Sequence, residues 1–195
     1  MTEPSSLVAI LIASTLTSNI LLAKFLGMCS FLSCSRQIGT ALRLGVAVTF
    51  VLTGTIMVNH VVYHYVLVPL ALEHLMLIVF IAVIAGCVQF VEMFVERFIP
   101  RLYHALGIFL PLIAVNCAIF GAALFMVIDK YNFWETLVFG FGSGIGWMMA
   151  IVLLAGLRKR MGYGDPPKPF RGVAITMIVT GIMALAFMGF AGIGQ

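Results

Sequence analysis

Charged residues are scarce in this sequence. Asp, Glu, Lys and Arg make up 9% of its 195 residues, whereas hydrophobic residues make up 63%. Such a composition leaves too little polar surface to cover a water-soluble globule. The apolar stretches also lack the alternation of apolar and polar residues that a membrane β-barrel requires. The composition therefore predicts an all-α integral membrane protein whose surface contacts the lipid bilayer.

The amino-terminal residues lack the basic region and the small-residue cleavage site of a secretory signal peptide. We therefore expect the first apolar segment to be retained as a membrane span. Six apolar segments are long enough to cross a bilayer core at about 20 residues per crossing. They lie at about 7–33, 44–67, 75–95, 105–128, 136–157 and 173–193. The sequence thus predicts a single six-helix membrane domain over residues 1–195.

The basic residues are unevenly distributed between the predicted loops. The loops after spans one, three and five hold Arg36, Arg43, Arg97, Arg101, Arg158, Lys159, Arg160, Lys168 and Arg171. The opposite side holds only Lys130. Because cytoplasmic loops retain Lys and Arg, both termini are expected on the outer side of the membrane. The net charge of +4 is explained by this asymmetry, and no nucleic acid partner is implied.

Six spans divide into two halves of three, at about 1–100 and 101–195. An odd number of spans per half makes the halves run in opposite directions, which predicts an inverted 3+3 repeat. Residues that disturb helices precede a cysteine in both halves, namely Gly27 before Cys29, and Gly107 and Pro111 before Cys117. In inverted-repeat transporters, interrupted helices meet near the midplane and hold the site. We therefore predict that helices one and four are interrupted.

Cys29 and Cys117 are the candidate metal ligands. A thiolate inside a membrane needs a positive partner, and thiolates suit iron–sulfur clusters, zinc and Cu(I). Four thiolates complete a [2Fe–2S] site, so two from this chain require two from a partner chain. Plain packing is the alternative for the pair, and it is the interpretation of Cys34 and Cys87. The spacing of Cys29 and Cys34 begins a ferredoxin pattern, but no C-x2-C follows it.

Other polar residues within the spans allow two interpretations each. His60 and His64 lie four residues apart and are able to bind a metal, but anchoring at the membrane interface is favoured. Glu92 is a candidate for an ion path, whereas Glu96 is interpreted as a rim residue. Lys24 lies in the first span, where either a negative or carbonyl partner offsets its charge or its side chain snorkels to the interface.

A glycine-rich run occupies residues 139–147 of the fifth span. It lacks the strand, turn and helix that a nucleotide-binding loop requires, so we do not expect it to bind a phosphate group. Gly140 with Gly144, and Gly142 with Gly146, have the spacing that lets helices approach closely. The run is therefore predicted to pack against neighbouring helices.

Four stretches of the sequence also carry a family resemblance: residues 25–32, 105–121, 139–147 and 184–190. They resemble the paired six-helix subunits of the Na+-translocating NADH:quinone oxidoreductase and of the related Rnf complex. The resemblance implies that two homologous, oppositely inserted subunits each give two cysteines to one [2Fe–2S] cluster within the membrane. In this chain those cysteines are Cys29 and Cys117.

The resemblance also implies a wider setting. The glycine-rich run and residues 27–30 are closer to subunits of type E of the Na+ enzyme, which is the favoured interpretation. The alternative is a subunit of type A of the Rnf complex, a ferredoxin:NAD oxidoreductase, to which residues 24–26 and 68–74 are closer. Either type implies an electron-transfer subunit of a bacterial inner-membrane translocase, with flavin and iron–sulfur subunits as partners. The partner across the cluster would be of type D or of Rnf type E, and Na+ would be the transported ion.

Two other classes of function remain open from the residues alone. A transporter or channel subunit without a redox centre would line an ion or solute path with Glu92, Asn116 and the glycine-rich fifth span. A structural membrane scaffold would use its cysteines for packing only.

Overall fold

A computed structural model of the chain describes residues 4–70, 73–98, 113–162, 164, 167 and 172–191. Within these ranges the secondary structure is helical, with no strand. The helices are α1 (Pro4–Ile12), α2 (Met28–Cys34), α3 (Ile38–Val62), α4 (Met76–Phe98), α5 (Cys117–Ile128), α6 (Phe133–Met161) and α7 (Val173–Ala191). Helix α1 continues into the π-helical turn Ala13–Thr17, and α3 into Tyr63–Leu67.

Within the part of the chain that the structure describes, three helical stretches are long and apolar enough to cross a membrane. They are Ile38–Leu67, Met76–Phe94 and Phe133–Met161, and they coincide with the predicted second, third and fifth spans. Shorter apolar helices lie at Leu7–Thr17, Cys117–Ile128 and Val173–Gly189. The prediction of an all-helical membrane protein is confirmed. Residues 105–112 of the predicted fourth span, with Gly107 and Pro111, lie outside the described residues.

Helices α3 and α6 form an antiparallel pair at the centre of the fold. Glycines bring their backbones into contact, since a Cβ atom added at Gly144 would lie 2.7 Å from Thr49 Cα, and one at Gly140 would lie 2.7 Å from Ile56 Cγ2. Farther along, Gly45 packs directly against Met148. The predicted role of Gly140 and Gly144 in helix packing is confirmed.

The other two glycines of the run hold the first apolar segment against α6. Gly142 contacts Ser14, and a Cβ atom at Gly146 would lie 2.9 Å from Asn19 Nδ2. Glycines on two sides of α6 thus allow both α3 and the first segment to approach its backbone closely. This double packing places the middle of the first segment beside the middle of α6.

The carboxyl-terminal part of α6 is bonded to the end of α2. Arg158 Nη1 donates to the carbonyl oxygen of Leu32 at 3.0 Å and to Ser35 Oγ at 2.7 Å. A cation near the last carbonyls of a helix stabilises its carboxyl end. The short helix α2, which carries Cys29, is therefore fixed at its far end by α6.

Candidate metal centre

The first apolar segment is interrupted over residues 18–27, between the π-helical turn and α2. The side chain of Asn19 replaces the missing helical hydrogen bonds. Its Oδ1 accepts from the backbone N–H groups of Leu21 at 3.0 Å and Leu22 at 3.3 Å. Its Nδ2 donates to the carbonyl oxygens of Thr15 at 3.0 Å and Gly146 at 2.9 Å. Backbone that lipid does not tolerate is thus satisfied inside the protein.

The interruption ends in a sharp turn before α2. Phe25 has a φ of +56° and Gly27 a φ of +83°. This left-handed region is unfavourable for residues with a Cβ atom, so Gly27 suits the position better than any other residue. The turn directs the backbone N–H of Gly27 towards the second half of the chain.

The second interruption is shorter and consists of residues 115 and 116. Ile113 and Ala114 are helical, and α5 begins at Cys117 after the break. Asn116 caps α5, since its Oδ1 accepts from the backbone N–H of Ala118 at 3.1 Å. Asn is among the preferred residues at this position because its side chain satisfies an unpaired helical N–H. The first apolar segment is therefore interrupted as predicted, and a break at residues 115 and 116 precedes α5. Gly107 and Pro111, on which the prediction for the fourth segment rested, lie outside the described residues.

The two interruptions contact each other. The backbone N–H of Gly27 donates to Cys117 Sγ at 2.9 Å. A Cβ atom added at Gly27 would lie 2.6 Å from Trp147 Nε1 and 3.0 Å from Asn116 Oδ1. Gly27 therefore leaves just enough room for the second interruption and for the indole of α6.

The two candidate cysteines are exposed, although cysteine is among the most buried residue types in folded proteins. Val115 and Phe25 beside them are 74% and 52% exposed. Cys34 is buried in the core, as expected for a packing residue, and Cys87 is partly buried on α4. The fold therefore presents Cys29 and Cys117 on its surface near one turn.

Two buried N–H donors next to this turn have no hydrogen-bond partner among the described residues. They are Asn116 Nδ2 and Trp147 Nε1, and both residues are almost completely buried. An unpaired buried donor costs about 1–3 kcal/mol, so each needs an explanation. N–H donors around sulfur ligands stabilise negative charge at a metal centre. The donors near Cys117 are therefore suited to an anionic thiolate group.

The described part of the chain holds no cluster of three or more His, Cys, Asp or Glu side chains that would bind a metal. The two exposed cysteines therefore provide at most half of a four-thiolate site. The remaining ligands would have to come from another chain.

Lys24 has an aromatic neighbour. Its Nζ lies 4.9 Å from the centroid of the Phe125 ring, a cation–π contact. Both residues line a cavity of about 340 Å³ that also contains Asp129 and Tyr131. Burial, followed by the charge of Asp129, raises the pKa of Tyr131 to about 12 and keeps its phenol neutral. Nothing in the sequence pattern indicates that an aromatic ring is the partner of Lys24.

The other candidates lie apart from the cysteines. The rings of His60 and His64 stack with centroids 5.3 Å apart, and His60 Nε2 lies 3.2 Å from the carbonyl oxygen of Tyr131. Glu92 is half-buried and Glu96 is exposed on α4. Among the described residues, no hydrogen bond or ion pair joins these four side chains to Cys29 or Cys117.

Sequence reasoning missed two residues of this centre, Asn19 and Trp147, and one contact, made by the backbone of Gly27. The only signal for Asn19 is an amide side chain in the middle of an apolar segment. Trp147 closes the glycine-rich run, and nothing in that run indicates that its indole reaches Gly27. The hydrogen bond from the Gly27 backbone involves no side chain of Gly27, so residue identity alone does not reveal it.

Comparison with known proteins agrees with the resemblance. The family model described as "Rnf-Nqr subunit, membrane protein" matches residues 7–194. The chain is also 50% identical, over 192 residues, to the E subunit of the Na(+)-translocating NADH-quinone reductase of Proteus mirabilis (strain HI4320). That match covers 95% of this chain and 97% of the relative. The chain therefore belongs to the Rnf-Nqr family of membrane protein subunits.

Proposed function

We propose that this chain is the E-type membrane subunit of a Na+-translocating NADH:quinone oxidoreductase. In this proposal Cys29 and Cys117 supply two thiolate ligands of a [2Fe–2S] cluster within the membrane. The match at 50% identity to the Proteus mirabilis protein, over nearly the full length of both chains, supports the choice of complex. The observation that carries the site is the 2.9 Å hydrogen bond from the Gly27 N–H to Cys117 Sγ, which brings the two interruptions together.

The donor set fits such a cluster. Two thiols lie on the surface near one turn, and the Gly27 N–H donates to Cys117 Sγ. The side chains of Asn116 and Trp147, each with an unpaired N–H among the described residues, lie beside Gly27. A [2Fe–2S] cluster bound there would accept and release one electron at a time. Two further thiolates would come from a homologous, oppositely inserted subunit seated on this face.

The residues of this chain have separable roles in the proposed site. The Gly27 N–H stabilises negative charge on Cys117 Sγ, and Asn19 and Asn116 hold the two interruptions in place. The exposed side chains of Phe25 and Val115 would be covered by the partner subunit, which would exclude water from the thiolates. The burial of the site would then raise the strength of each N–H···S interaction.

The proposed architecture is a six-span inverted repeat with both termini on the outer side of a bacterial inner membrane. Support comes from the two interruptions, one in each half of the chain, which contact each other and each rely on an asparagine. NADH and quinone would bind other subunits, and flavin and iron–sulfur subunits would deliver and remove the electron. Na+ would be the transported ion of the complex.

The test is coupled transport by the complete complex in proteoliposomes. NADH-driven quinone reduction and Na+ uptake are expected to fall together in Cys29→Ala and Cys117→Ala, and to persist in the matched variant Cys87→Ala. The proposal is wrong if both variants of the site keep electron transfer to quinone. If they also keep Na+ movement, the transporter without a redox centre becomes the better account.

A further inference from the structure

Two cavities lie on the seam between α3 and α6. The cavity at the inner end of the seam, of about 460 Å³, is lined by Arg36, Gln37, Ile38, Arg158 and Lys159. The second cavity, of about 390 Å³, is apolar and is lined by Val46, Thr49, Phe50, Thr53, Phe141, Ile145 and Met148. The first is predominantly basic, and the second has no charged lining residue.

Helical spacing places the two cavities on one side of the helix pair. On α3 an exposed apolar stripe recurs every four residues, through Ile38, Leu42, Val46 and Phe50. On α6 the spacing of three or four residues continues from Phe141, Ile145 and Met148 through Val152 towards Lys159. The basic and apolar cavities therefore follow each other along this side of the helix pair, and we refer to them and the exposed stripe between them as the groove.

The length of the groove matches one leaflet of a membrane. At 1.5 Å per residue, Val46 lies about 12 Å and Thr53 about 22 Å along α3 from Ile38. The hydrocarbon of one leaflet is about 15 Å thick, half of a bilayer core. If the basic cavity lies at head-group level, the apolar cavity is at the depth of acyl chains.

The charge at the mouth of the groove is not neutralised by the described residues. None of their carboxylates forms an ion pair with Arg36, Arg158 or Lys159. Arg158 is held in place by Leu32 and Ser35, both neutral acceptors, so its guanidinium keeps a full positive charge. Basic pockets between helices at the cytoplasmic surface bind the phosphate of anionic lipids.

We propose that this groove binds one anionic phospholipid of the inner leaflet, with its phosphate at Arg36 and Lys159 and an acyl chain between Val46 and Ile145. The basic mouth requires a negative head group, and the apolar continuation requires a hydrocarbon chain. A free phosphate ion would use only the first of these features. The inference does not depend on the cysteines or on any metal.

The test is lipid exchange on the purified complex in mild detergent, measured by native mass spectrometry with added phosphatidylglycerol or phosphatidylethanolamine. Phosphatidylglycerol is expected to bind more tightly than phosphatidylethanolamine. Arg36→Gln and Lys159→Gln are each expected to lower the affinity for phosphatidylglycerol about fivefold, which is the effect of one basic residue near an anionic lipid. Arg160→Gln is the matched control, because Arg160 is exposed on the same helix and does not line the groove.

Two further arms separate the sources of binding. Ile145→Trp fills the apolar cavity without changing the charge of the groove. It is also expected to lower the affinity for phosphatidylglycerol. Millimolar inorganic phosphate is expected to leave the lipid bound. The proposal is overturned if Arg36→Gln and Lys159→Gln bind phosphatidylglycerol like the unmodified complex, or if inorganic phosphate displaces it. It is also overturned if no lipid exchanges at all, which would indicate that another subunit covers the groove.

Discussion

The two interruptions of the apolar segments use the same residue type in different ways. At residues 18–27 all hydrogen-bonding groups of the Asn19 side chain are engaged, with two bonds accepted and two donated. At residues 115 and 116 the Asn116 side chain accepts from Ala118, and neither its Nδ2 nor the nearby Trp147 Nε1 has a partner among the described residues. Within the described ranges, the Asn19 side chain is therefore fully hydrogen-bonded, whereas the second interruption leaves two donors for another group.

The largest expected effect comes from breaking the first interruption. Asn19→Ala leaves the backbone N–H groups of Leu21 and Leu22 buried without their acceptor, which is expected to lower the stability of the complex by about 3 kcal/mol. For a chain of this size that corresponds to a fall in Tm of about 6–12 °C. The fall in Tm is measured by thermal unfolding of the purified complex.

The matched control for Asn19 is Asn132→Ala. Asn132 caps α6 in an exposed capping box with Glu135, so its loss is expected to cost only about 1 kcal/mol. Equal losses of stability in the two variants would contradict the structural role given to Asn19.

The next effect comes from forcing the two interruptions apart. Gly27→Ala adds a Cβ atom 2.6 Å from Trp147 Nε1, at a φ of +83°. The left-handed backbone and the overpacking together are expected to cost about 2 kcal/mol or more. Gly39→Ala is the control, because nothing lies within 4 Å of its added Cβ atom. A melting temperature unchanged by Gly27→Ala would show that the close approach at Gly27 is not required.

The smallest expected effect tests whether the unpaired indole N–H at the second interruption acts on the proposed cluster. Trp147→Phe removes one buried N–H donor, and donors stabilise the reduced, more negative state of a cluster. Under the proposed function the reduction potential is expected to fall by about 20–60 mV, the equivalent of one net hydrogen bond for a one-electron couple. A potentiometric titration followed by EPR measures it.

Trp134→Phe serves as the control for Trp147, because Trp134 is 65% exposed and lies at the start of α6. Equal potentials for Trp147→Phe and the unmodified complex would show that the indole does not influence the cluster, while leaving the assignment of the cysteines in place.

The sequence predicted the regular parts of the fold well. The second, third and fifth spans follow from unbroken apolar runs, and the packing role of Gly140 and Gly144 follows from their spacing. The length of the first interruption could not be predicted from the sequence, because it depends on a hydrogen bond from Asn19 to Gly146, 127 residues away. The contact from Gly27 to Cys117 joins residues 90 apart and depends on a backbone turn. Such contacts arise only when α6 has packed against the first segment.

The most direct test of the central claim is iron and acid-labile sulfide in the purified complex, with EPR after reduction. The account predicts that Cys29→Ala and Cys117→Ala each remove the [2Fe–2S] signal and the corresponding iron and sulfide, whereas Cys34→Ala and Cys87→Ala keep them. Retention of the cluster in both Cys29→Ala and Cys117→Ala, or its loss in Cys34→Ala or Cys87→Ala, would contradict the assignment of the ligands.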